Sequence, residues 1–481
     1  MRLYEALVEA LRGRPEGRIA TTRSEITYRD VLTESAAKAT LLDQVAPRGA
    51  RILLAMPNHL GYASSLLAVL SRGDLPILAD PSLTSAEIDK LVTDCGIDAV
   101  IAADDAVGVP FDERTRVRAT GVDGARPELA PDTELGRLTS GSTRSPACIE
   151  FSAEAVLNAA TTWADASELT PADTSLCFAG LYNGLAFNTT LVPSLLRGAT
   201  VVLATGMPTA GSIVRQVTSA RPTILVAFPA AYDRLVEYPL DKMSAETREA
   251  LARIRLRLSS AAPLSGAAAA RMTALSGPVS DYYGIAETGP ITFNREPGVG
   301  GTHGRLLRGV AVSSRPRADG TAVLHVRTAS MGTKYLNYPG EFERLVAADG
   351  SYITSDTGSV DDGYLSLRGR AHPMFEIGGR KFSVDSVRDP ILAFAGVADC
   401  HVVQLTTPSG RACIAAAFET TGAVDISELR AHLQAALSAY KVPEVLVGVD
   451  ELPRSTTGKV KSAPVRELLL RTFQQPVNGG Q

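Results

Sequence analysis

The sequence has no long apolar run and no concentration of one charge. Its 481 residues contain no stretch of about 18 consecutive apolar residues, the length that a helix needs to cross a bilayer. Residues 1–18 carry charges throughout, unlike the apolar core of a secretory signal. The 48 basic and 52 acidic residues form no polybasic run, so neither nucleic acid nor a membrane is expected as a partner. We therefore expect a cytoplasmic protein.

Cysteine and histidine are scarce as well. The five cysteines are scattered and never spaced as C-x-x-C, which argues against a disulfide framework and a zinc site. The six histidines are isolated from one another. The sequence also lacks a G-x-x-x-x-G-K-[ST] phosphate loop, a G-x-S-x-G nucleophile elbow and a G-x-G-x-x-G dinucleotide turn. These absences exclude the usual nucleotide-binding and hydrolase motifs.

Apolar segments alternate with amphipathic ones in two parts of the chain. RILLAM, LPILAD and DAVIAAD follow residue 50, and TVVLAT, TILVAF and RIRLRLSS follow residue 199. Such alternation predicts parallel sheets covered by helices. Between residues 300 and 370, short segments separated by glycine and aspartate predict antiparallel strands.

The pattern after residue 370 is that of a small α+β unit. It contains a hairpin that turns at residues 408–410 and a helix capped by Asp425 and Glu428. We therefore predict an α/β fold with two domains. The large N-terminal domain, residues 1–370, has two helix-covered sheets and a β-rich subdomain, and the small, mobile α+β C-terminal domain is residues 371–481.

LTSGSTRSPACIEFS, residues 138–152, places a hydroxyl-rich turn between a predicted strand and a longer apolar stretch. Hydroxyl and amide groups in such a turn can surround the oxygens of a polyphosphate. The residues in question are Thr139, Ser140, Gly141, Ser142 and Thr143. Clusters of this kind are also common in ordinary loops, so the turn alone leaves both interpretations open.

Five further segments follow this turn. They are SSAAPL (259–264), YYGIAETG (282–289), YITSDTG (352–358), LRGRAHPMFEIGGRK (367–381) and LPRSTTGKV (452–460). In this order, the six segments resemble the motifs of the adenylate-forming (AMP-binding) superfamily, which includes acyl- and aryl-CoA ligases, adenylation domains of nonribosomal peptide synthetases and firefly luciferase. The resemblance spans nearly the whole chain. It implies that ATP and a carboxylic acid form an acyl adenylate, which a thiol then attacks.

The resemblance also implies which residues bind the nucleoside of ATP. Asp356 would accept hydrogen bonds from both ribose hydroxyls, and Arg370 would contact the ribose near the joint between the domains. Tyr283 would stack on the adenine, and Asp281 would face its amino group. The backbone on the other side of the adenine would be that of Ala261, Ala262 and Pro263.

Three residues have roles in the reaction by the same resemblance. Glu287 would hold the Mg²⁺ that bridges the ATP phosphates, because a hard cation prefers carboxylate and phosphate oxygens. Lys459 would stabilise the charge that builds on the α-phosphate when the carboxylate attacks. The small domain would rotate about a hinge near His372 before the second step.

The sequence departs from the family pattern at several positions. Arg144 replaces the usual glycine of the hydroxyl turn, and Ala147 replaces the usual lysine. We hypothesise that the Arg144 guanidinium supplies the missing positive charge; the alternative is that the lysine is dispensable and Arg144 points into water. Ala286 stands where a threonine normally bonds the α-phosphate, and Glu376 and His372 are unusual near the hinge.

The predicted acid pocket is mostly apolar. In amino-acid-activating relatives an aspartate pairs with the substrate ammonium, and its position falls at Gly184 or Leu185 here, so an α-amino acid is disfavoured. An aryl or medium-chain fatty acid suits an apolar pocket with a few polar groups. The residues predicted to line it are Tyr182, Asn183, Gly184, Leu185, Phe228, Tyr232, Gly284 and Ile285.

The acceptor of the acyl group stays open at this stage. The resemblance implies coenzyme A or the phosphopantetheine of a carrier protein acting in trans, and the sequence does not decide between them. Two other functions remain as alternatives. One is a protein that binds AMP or an acyl adenylate without turnover, and the other is a ligase that joins the acyl group to an amine.

Overall fold

The fold is known from a computed structural model, and its helices alternate with strands along much of the chain. The structure describes residues 2–83, 85–103, 108–122, 126–139, 146–206, 208–260, 264, 266–295, 303–316, 322–370, 375–377, 380–382, 384–407, 412–437, 439–456 and 458–474. None of the helices in these ranges is both long and apolar enough to cross a membrane. The helices are α1 (Leu3–Gly13), α2 (Tyr28–Leu42), α3 (Tyr62–Ser71), α4 (Ser85–Cys95), α5 (Ala153–Ala166), α6 (Gly184–Ala186), α7 (Val192–Arg197), α8 (Ala210–Ala220), α9 (Pro229–Glu237), α10 (Ala245–Ala252), α11 (Gly266–Leu275), α12 (Asp385–Leu392), α13 (Ile426–Ala436) and α14 (Ser462–Gln474).

The strands form two large sheets and several small ones. They are β1 (Arg18–Ala20), β2 (Glu25–Thr27), β3 (Arg51–Ala55), β4 (Leu75–Leu78), β5 (Ala99–Ala102), β6 (Val109–Pro110), β7 (Arg116–Ala119), β8 (Thr133–Leu138), β9 (Cys148–Ser152), β10 (Thr174–Cys177), β11 (Thr200–Leu203), β12 (Ile224–Ala227), β13 (Leu256–Ser259), β14 (Ser280–Ile285), β15 (Gly289–Asn294), β16 (Arg305–Leu306), β17 (Ala311–Pro316), β18 (Ala322–Arg327), β19 (Tyr352–Ile353), β20 (Asp356–Asp361), β21 (Tyr364–Arg370), β22 (Phe375–Ile377), β23 (Arg380–Phe382), β24 (Val397–Thr406), β25 (Ala412–Thr420) and β26 (Val445–Val449).

The two large sheets confirm the predicted α/β class. One has the strand order β2-β1-β11-β10-β12-β13-β14-β15-β16-β21-β20, with parallel pairing from β1 through β14. The other has the order β6-β7-β5-β3-β4-β8-β9, in which β3 pairs in parallel with β4 and β5. All six apolar segments predicted as strands, β3, β4, β5, β11, β12 and β13, are strands.

Alternation along each central strand explains why these segments are apolar at every position. In β12, Ile224 and Val226 enter the largest buried cluster, which also takes residues from β3 in the other sheet. Leu225 of the same strand points to the opposite face, into a cluster formed with α8, α9 and α10. Because both faces of the strand are covered, a polar residue at any of these positions lacks access to water.

The region between residues 300 and 370 contains the predicted antiparallel strands. β17, β18 and β19 form a separate three-stranded sheet. β16, β20 and β21 instead extend the edge of the larger sheet, through the pairing of Arg305 with Tyr364. The β-rich part of the chain is therefore continuous with the sheet that carries the carboxyl ends of β10 to β14.

The C-terminal part has its own sheet and its own buried clusters. β24 pairs antiparallel with β25, and β26 pairs in parallel with β25. The predicted helix at residue 426 is present as α13, and the Asp425 carboxylate accepts hydrogen bonds from the amides of Ser427 and Glu428. Within the described ranges, no sheet combines strands from both sides of residue 370.

Candidate active site

Three of the predicted binding residues lie at one edge of the larger sheet. β10, β12, β13 and β14 run in parallel, so their carboxyl ends lie at the same edge. Phe228 follows β12 directly, Tyr182 lies in the loop after β10, and Tyr283 is near the end of β14. Crevices at the carboxyl ends of parallel strands are the usual ligand sites of such sheets.

Because side chains alternate along a strand, the two tyrosines of β14 point to opposite faces of the sheet. Tyr282 is buried and makes an edge-on contact with Trp163, with ring centroids 5.4 Å apart. Tyr283, one residue further, points to the other face. Its hydroxyl donates to Oδ2 of Asp356 at 2.6 Å. The core contact of Tyr282 thus directs Tyr283 toward the predicted ribose-binding carboxylate.

Asp356 and Arg370 are direct cross-strand partners. The register of β20 and β21 pairs their Cα atoms, and the Asp356 side chain is buried, with 5% of the residue exposed. Only the backbone of Arg370 is described. The structure therefore brings together three residues that the sequence places around the nucleoside, Tyr283, Asp356 and Arg370.

Glu287 lies in the turn between β14 and β15, and a tyrosine pair holds its carboxylate. Tyr335 donates to Oε1 of Glu287 at 2.9 Å, and the Tyr335 and Tyr352 hydroxyls lie 3.1 Å apart. Burial raises the pKa of Tyr352, and the negative charge of Glu287 raises it further, so the Tyr352 hydroxyl stays protonated. The turn is also fixed by the bond from the Gly332 amide to the Glu287 carbonyl.

Asp281 lies near the start of β14, and its carboxyl has a raised pKa. Burial raises the pKa of its carboxyl, although His303 and a hydrogen bond from the Tyr282 amide act in the opposite direction. A carboxyl in this state readily accepts a hydrogen bond, because the bond offsets part of the cost of its burial. Its position opposite an amino group of the adenine stays a prediction.

Several predicted residues lie outside the described residues: Ser140, Gly141, Ser142, Thr143, Arg144, Ala261, Ala262, Pro263 and His372. The side chain of Glu376 is not described either.

Both ends of the hydroxyl turn are described. The Thr139 amide donates to the Ala147 carbonyl oxygen at 2.8 Å, and the Ala147 amide donates to the Thr139 hydroxyl at 3.0 Å. Ala147 is 5% exposed, so the position of the family lysine is in the core here.

The predicted acid pocket is apolar where the structure describes it. Leu185 is buried, and Phe228 and Ile285 pack partly buried against the largest core cluster. Gly284 lies at a bulge in β14, where a Cβ atom would sit 2.6 Å from the Gly289 carbonyl oxygen, so no larger residue fits without a shift of the backbone. Asn183 caps α6, and its Oδ1 accepts from the Leu185 amide at 2.9 Å.

The prediction that Tyr232 lines the pocket is wrong. Its ring is 1% exposed and belongs to the cluster beneath α8 and α9. Its hydroxyl donates to the carbonyl oxygens of Leu225 and Leu258, at 3.1 and 3.0 Å. Those two bonds satisfy the hydroxyl inside the core, which is why a tyrosine can be fully buried there.

Sequence reasoning did not single out Arg137, which the structure places against Ala286, next to Glu287. Arg137 is in β8, and its Nη2 donates to the Ala286 carbonyl oxygen at 3.0 Å. Its guanidinium lies over the Phe151 ring, 4.7 Å from the centroid. The signal in the sequence is a lone arginine in an otherwise uncharged segment, GRLTSGST, directly before the hydroxyl turn.

The turn that carries Lys459 is closed by its own hydrogen bonds. The Ser455 amide donates to the Lys459 carbonyl at 2.7 Å, and the Lys459 amide donates to the Ser455 hydroxyl at 3.2 Å. Gly458 has a φ of 83°, which favours glycine. Arg454 anchors the turn to the C-terminal sheet by ion pairs of 2.8 Å to Asp399 and Glu419.

The same turn contacts the N-terminal part of the chain. The Thr456 hydroxyl donates to Oδ2 of Asp80 at 2.8 Å, and the Tyr182 hydroxyl donates to the same oxygen at 2.9 Å. The two hydroxyls are 3.1 Å apart. We call Asp80, Tyr182 and Thr456 the latch. Tyr182, which the sequence predicts to line the acid pocket, is thus engaged with the lysine turn through its hydroxyl.

A comparison with known proteins finds related enzymes whose sequences align with most of this chain. The feruloyl-CoA synthase of Amycolatopsis sp. is 26% identical over 475 residues, covering 92% of this chain and 93% of that protein. The 3-hydroxybenzoate–CoA ligase of Aromatoleum sp. (strain CIB) is 27% identical over 361 residues, covering 72% of this chain and 68% of that protein.

Solved structures share the fold. ATP-bound MatB from Rhodopseudomonas palustris has a TM-score of 0.78 at 21% identity, covering 98% of this chain and 100% of its own. A benzoate CoA ligase from Burkholderia xenovorans has a TM-score of 0.76 at 21% identity, covering 97% and 100%. The family described as AMP-binding enzyme matches residues 7–315, more than half of the chain. The protein therefore belongs to the AMP-binding enzyme family.

Proposed function

We propose that the protein is an acid–thiol ligase that activates a carboxylic acid with ATP. The acid's carboxylate oxygen attacks the α-phosphorus of ATP, which forms an acyl adenylate and releases pyrophosphate. A thiol then attacks the acyl carbon and releases AMP. Coenzyme A is the acceptor to test first, because both relatives named above carry it in their names; the phosphopantetheine of a carrier protein is the alternative.

The position of the lysine turn carries this proposal. Thr456, three residues before Lys459, contacts Tyr182, which the sequence predicts to line the acid pocket. Gly184, two residues after Tyr182, lies against Arg137, which bonds to the Ala286 carbonyl beside Glu287. These contacts form an unbroken path from the lysine turn to the predicted nucleotide site. Such an arrangement suits an enzyme in which a cation from the C-terminal part reaches the reacting phosphate.

An aryl or fatty acid remains the favoured substrate class. The described residues around the pocket, Leu185, Phe228 and Ile285, are apolar, and the position of the ammonium-binding aspartate is occupied by Gly184 or Leu185. The names of the two relatives refer to aromatic acids. We propose an aromatic acid as the first substrate to test, with a division into domains near residue 370 and a hinge at His372.

Glu287 fits the metal that the family uses. Tyr335 bonds to Oε1, and Oε2 has no hydrogen-bond donor within the described part of the chain, so it can ligate Mg²⁺. Mg²⁺ typically takes one or two carboxylates together with phosphate oxygens, so a single protein ligand is sufficient. When bound, the ion would neutralise charge on the ATP phosphates, while Glu287 and Tyr335 would fix its position.

Carboxylate-dependent exchange of labelled pyrophosphate into ATP tests this function. We expect exchange with at least one aromatic or fatty acid, and thioester formation when coenzyme A is added. Binding of AMP without exchange, across aryl, fatty and amino acids, would instead identify a nucleotide-binding protein. Acyl transfer to hydroxylamine but not to coenzyme A or a carrier protein would point to an amine-directed ligase.

The latch predicts a selective effect of Thr456→Val. This substitution keeps the shape of the side chain but removes the hydroxyl that donates to Asp80. We expect adenylation to slow by roughly 3- to 10-fold, which corresponds to about 0.7 to 1.4 kcal/mol, the usual net contribution of one hydrogen bond. Thioester formation from a pre-made acyl adenylate should keep its rate, because the latch joins the turn only in the arrangement described here.

Thr421→Val is the matched control for the latch. Thr421 is exposed in the C-terminal part, and its hydroxyl bonds to the Gly396 carbonyl instead of to the N-terminal part. Its replacement should leave both half-reactions unchanged. If Thr456→Val and Thr421→Val behave alike in pyrophosphate exchange, the latch has no role in adenylation.

A further inference from the structure

Arg137 is a buried cation in the centre of the proposed active site. Only 4% of the residue is exposed. Its guanidinium lies over the ring of Phe151, and Nη1 is 3.5 Å from Oδ1 of Asn188. Asn188 is in the π-helical turn Phe187–Leu191, a distortion that often occurs at functional sites.

The positive charge of Arg137 has no ion-pair partner in the described part of the chain. Two acceptors, Asn188 Oδ1 and the Ala286 carbonyl, face a guanidinium that has five N–H donors. Burial lowers the pKa of Arg137 to about 10, while Tyr282 and Glu287 act in the opposite direction, so the group is charged at neutral pH. A buried charge normally has an anionic partner, because desolvation is costly.

Gly184 brings the start of α6 directly against this charge. A Cβ atom at Gly184 would lie 3.3 Å from Cζ of Arg137 and 3.5 Å from both terminal nitrogens. No side chain therefore separates the guanidinium from the start of α6. The sequence predicts the acid pocket in this segment. Gly184, the first residue of α6, has no side chain.

We propose that Arg137 binds the reacting carboxylate of the acid substrate through its terminal N–H groups. The inference rests on the proposed function and names a residue that orients the acid in it. The guanidinium lies between Gly184, on the acid side, and Ala286, next to the metal-binding Glu287, which is where a carboxylate about to attack the α-phosphorus has to be. Two parallel N–H···O bonds would fix both carboxylate oxygens.

The surroundings favour the carboxylate over a phosphate of ATP as the anion. Asn188 and Gly184 belong to the segment after β10, which the sequence assigns to the acid. A carboxylate approaching from the side of Gly184 meets the arginine first.

The KM values for the acid and for ATP, measured in Arg137→Met and in the wild type, test the proposal. In pyrophosphate exchange, we expect the KM for the acid to rise roughly 10- to 100-fold, and the KM for ATP to change less than about threefold. Arg137→Lys should recover part of the loss, because it keeps the charge. The wild type should bind the acid more tightly than its primary amide, and the methionine variant should lose this preference.

Two further variants separate binding from folding. Gly184→Ala keeps the arginine but displaces its guanidinium, so it should raise the KM for the acid by a smaller factor at an unchanged melting temperature. Arg257→Met is the control: Arg257 is also a buried arginine, but it bonds to Ser276 and to the carbonyl oxygens of Ile254, Ser276 and Pro278, away from the site. It should lower the melting temperature without changing the ratio of the two constants.

The outcomes distinguish this inference from the function on which it rests. A wild type without exchange activity for any acid would overturn the proposed function. An active wild type combined with Arg137→Met at an unchanged KM for the acid would overturn the inference alone. A rise confined to the KM for ATP would also overturn it, because the guanidinium would then serve the phosphates.

Discussion

Lys459→Ala should reduce adenylation by at least about 100-fold, because it removes the cation that we propose stabilises charge on the α-phosphate in the transition state. The two hydrogen bonds that close the turn between Ser455 and Lys459 use the backbone of Lys459 and not its side chain, so the substitution leaves them intact. Thioester formation from a pre-made acyl adenylate should stay near the wild-type rate. Pyrophosphate exchange and thioester formation, measured separately, check both expectations.

Lys461→Ala provides the matched control. Lys461 is exposed, two residues further along the chain, and its amide bonds to the Pro453 carbonyl at 2.6 Å. The variant removes one positive charge from the same segment and should adenylate like the wild type. Equal loss of both half-reactions in Lys459→Ala would contradict the assignment, since it would mean that the lysine supports the turn instead of the reacting phosphate.

Local sequence patterns predicted most of the fold. The central strands are apolar at every position because both of their faces are covered, and β12 shows this with Ile224 and Leu225 in different clusters. The cap at Asp425 was predictable because it involves only the next three residues. Tyr283, Asp356 and Glu287 were predicted from their motifs, and the structure joins the first two by a hydrogen bond from the Tyr283 hydroxyl to Asp356.

Contacts between distant segments could not be predicted in this way. Thr456 and Asp80 are 376 residues apart, and nothing near either of them marks the pair. Arg137 lies 51 residues from Asn188 and 149 from Ala286, and an arginine in a strand is more often solvent-exposed. The burial of Tyr232 likewise depends on carbonyl groups of two neighbouring strands. Polar side chains at such positions look alike in sequence whether they face water or the core.

The cations of the site are distributed differently from the family pattern. The usual lysine of the hydroxyl turn is Ala147, which is buried and bonded to Thr139, so this position cannot present a charge to the phosphates. Arg137 is buried two residues before that turn, and the turn that carries Lys459 contacts the N-terminal part of the chain through Thr456. With the roles proposed above, Arg137 would face the acid and Lys459 the α-phosphate, and Mg²⁺ at Glu287 would neutralise charge on the other phosphates.

Glu287→Gln should therefore reduce adenylation by roughly 100-fold and weaken the dependence of the rate on Mg²⁺. Glutamine has nearly the same shape and can still accept the hydrogen bond from Tyr335, so the turn between β14 and β15 should keep its conformation. The change removes the negative charge, which is what a hard cation requires. Exchange rates over a series of Mg²⁺ concentrations measure this effect.

Two comparisons make the result for Glu287 specific. Glu343→Gln, at an exposed glutamate, should leave the Mg²⁺ dependence unchanged. Tyr335→Phe removes the bond to Oε1 but keeps the charge, so it should raise the Mg²⁺ requirement by less than Glu287→Gln does. In the presence of ATP, Mg²⁺ should raise the melting temperature of the wild type and not that of Glu287→Gln. An equal Mg²⁺-dependent rise in both proteins would show that the ion is held elsewhere.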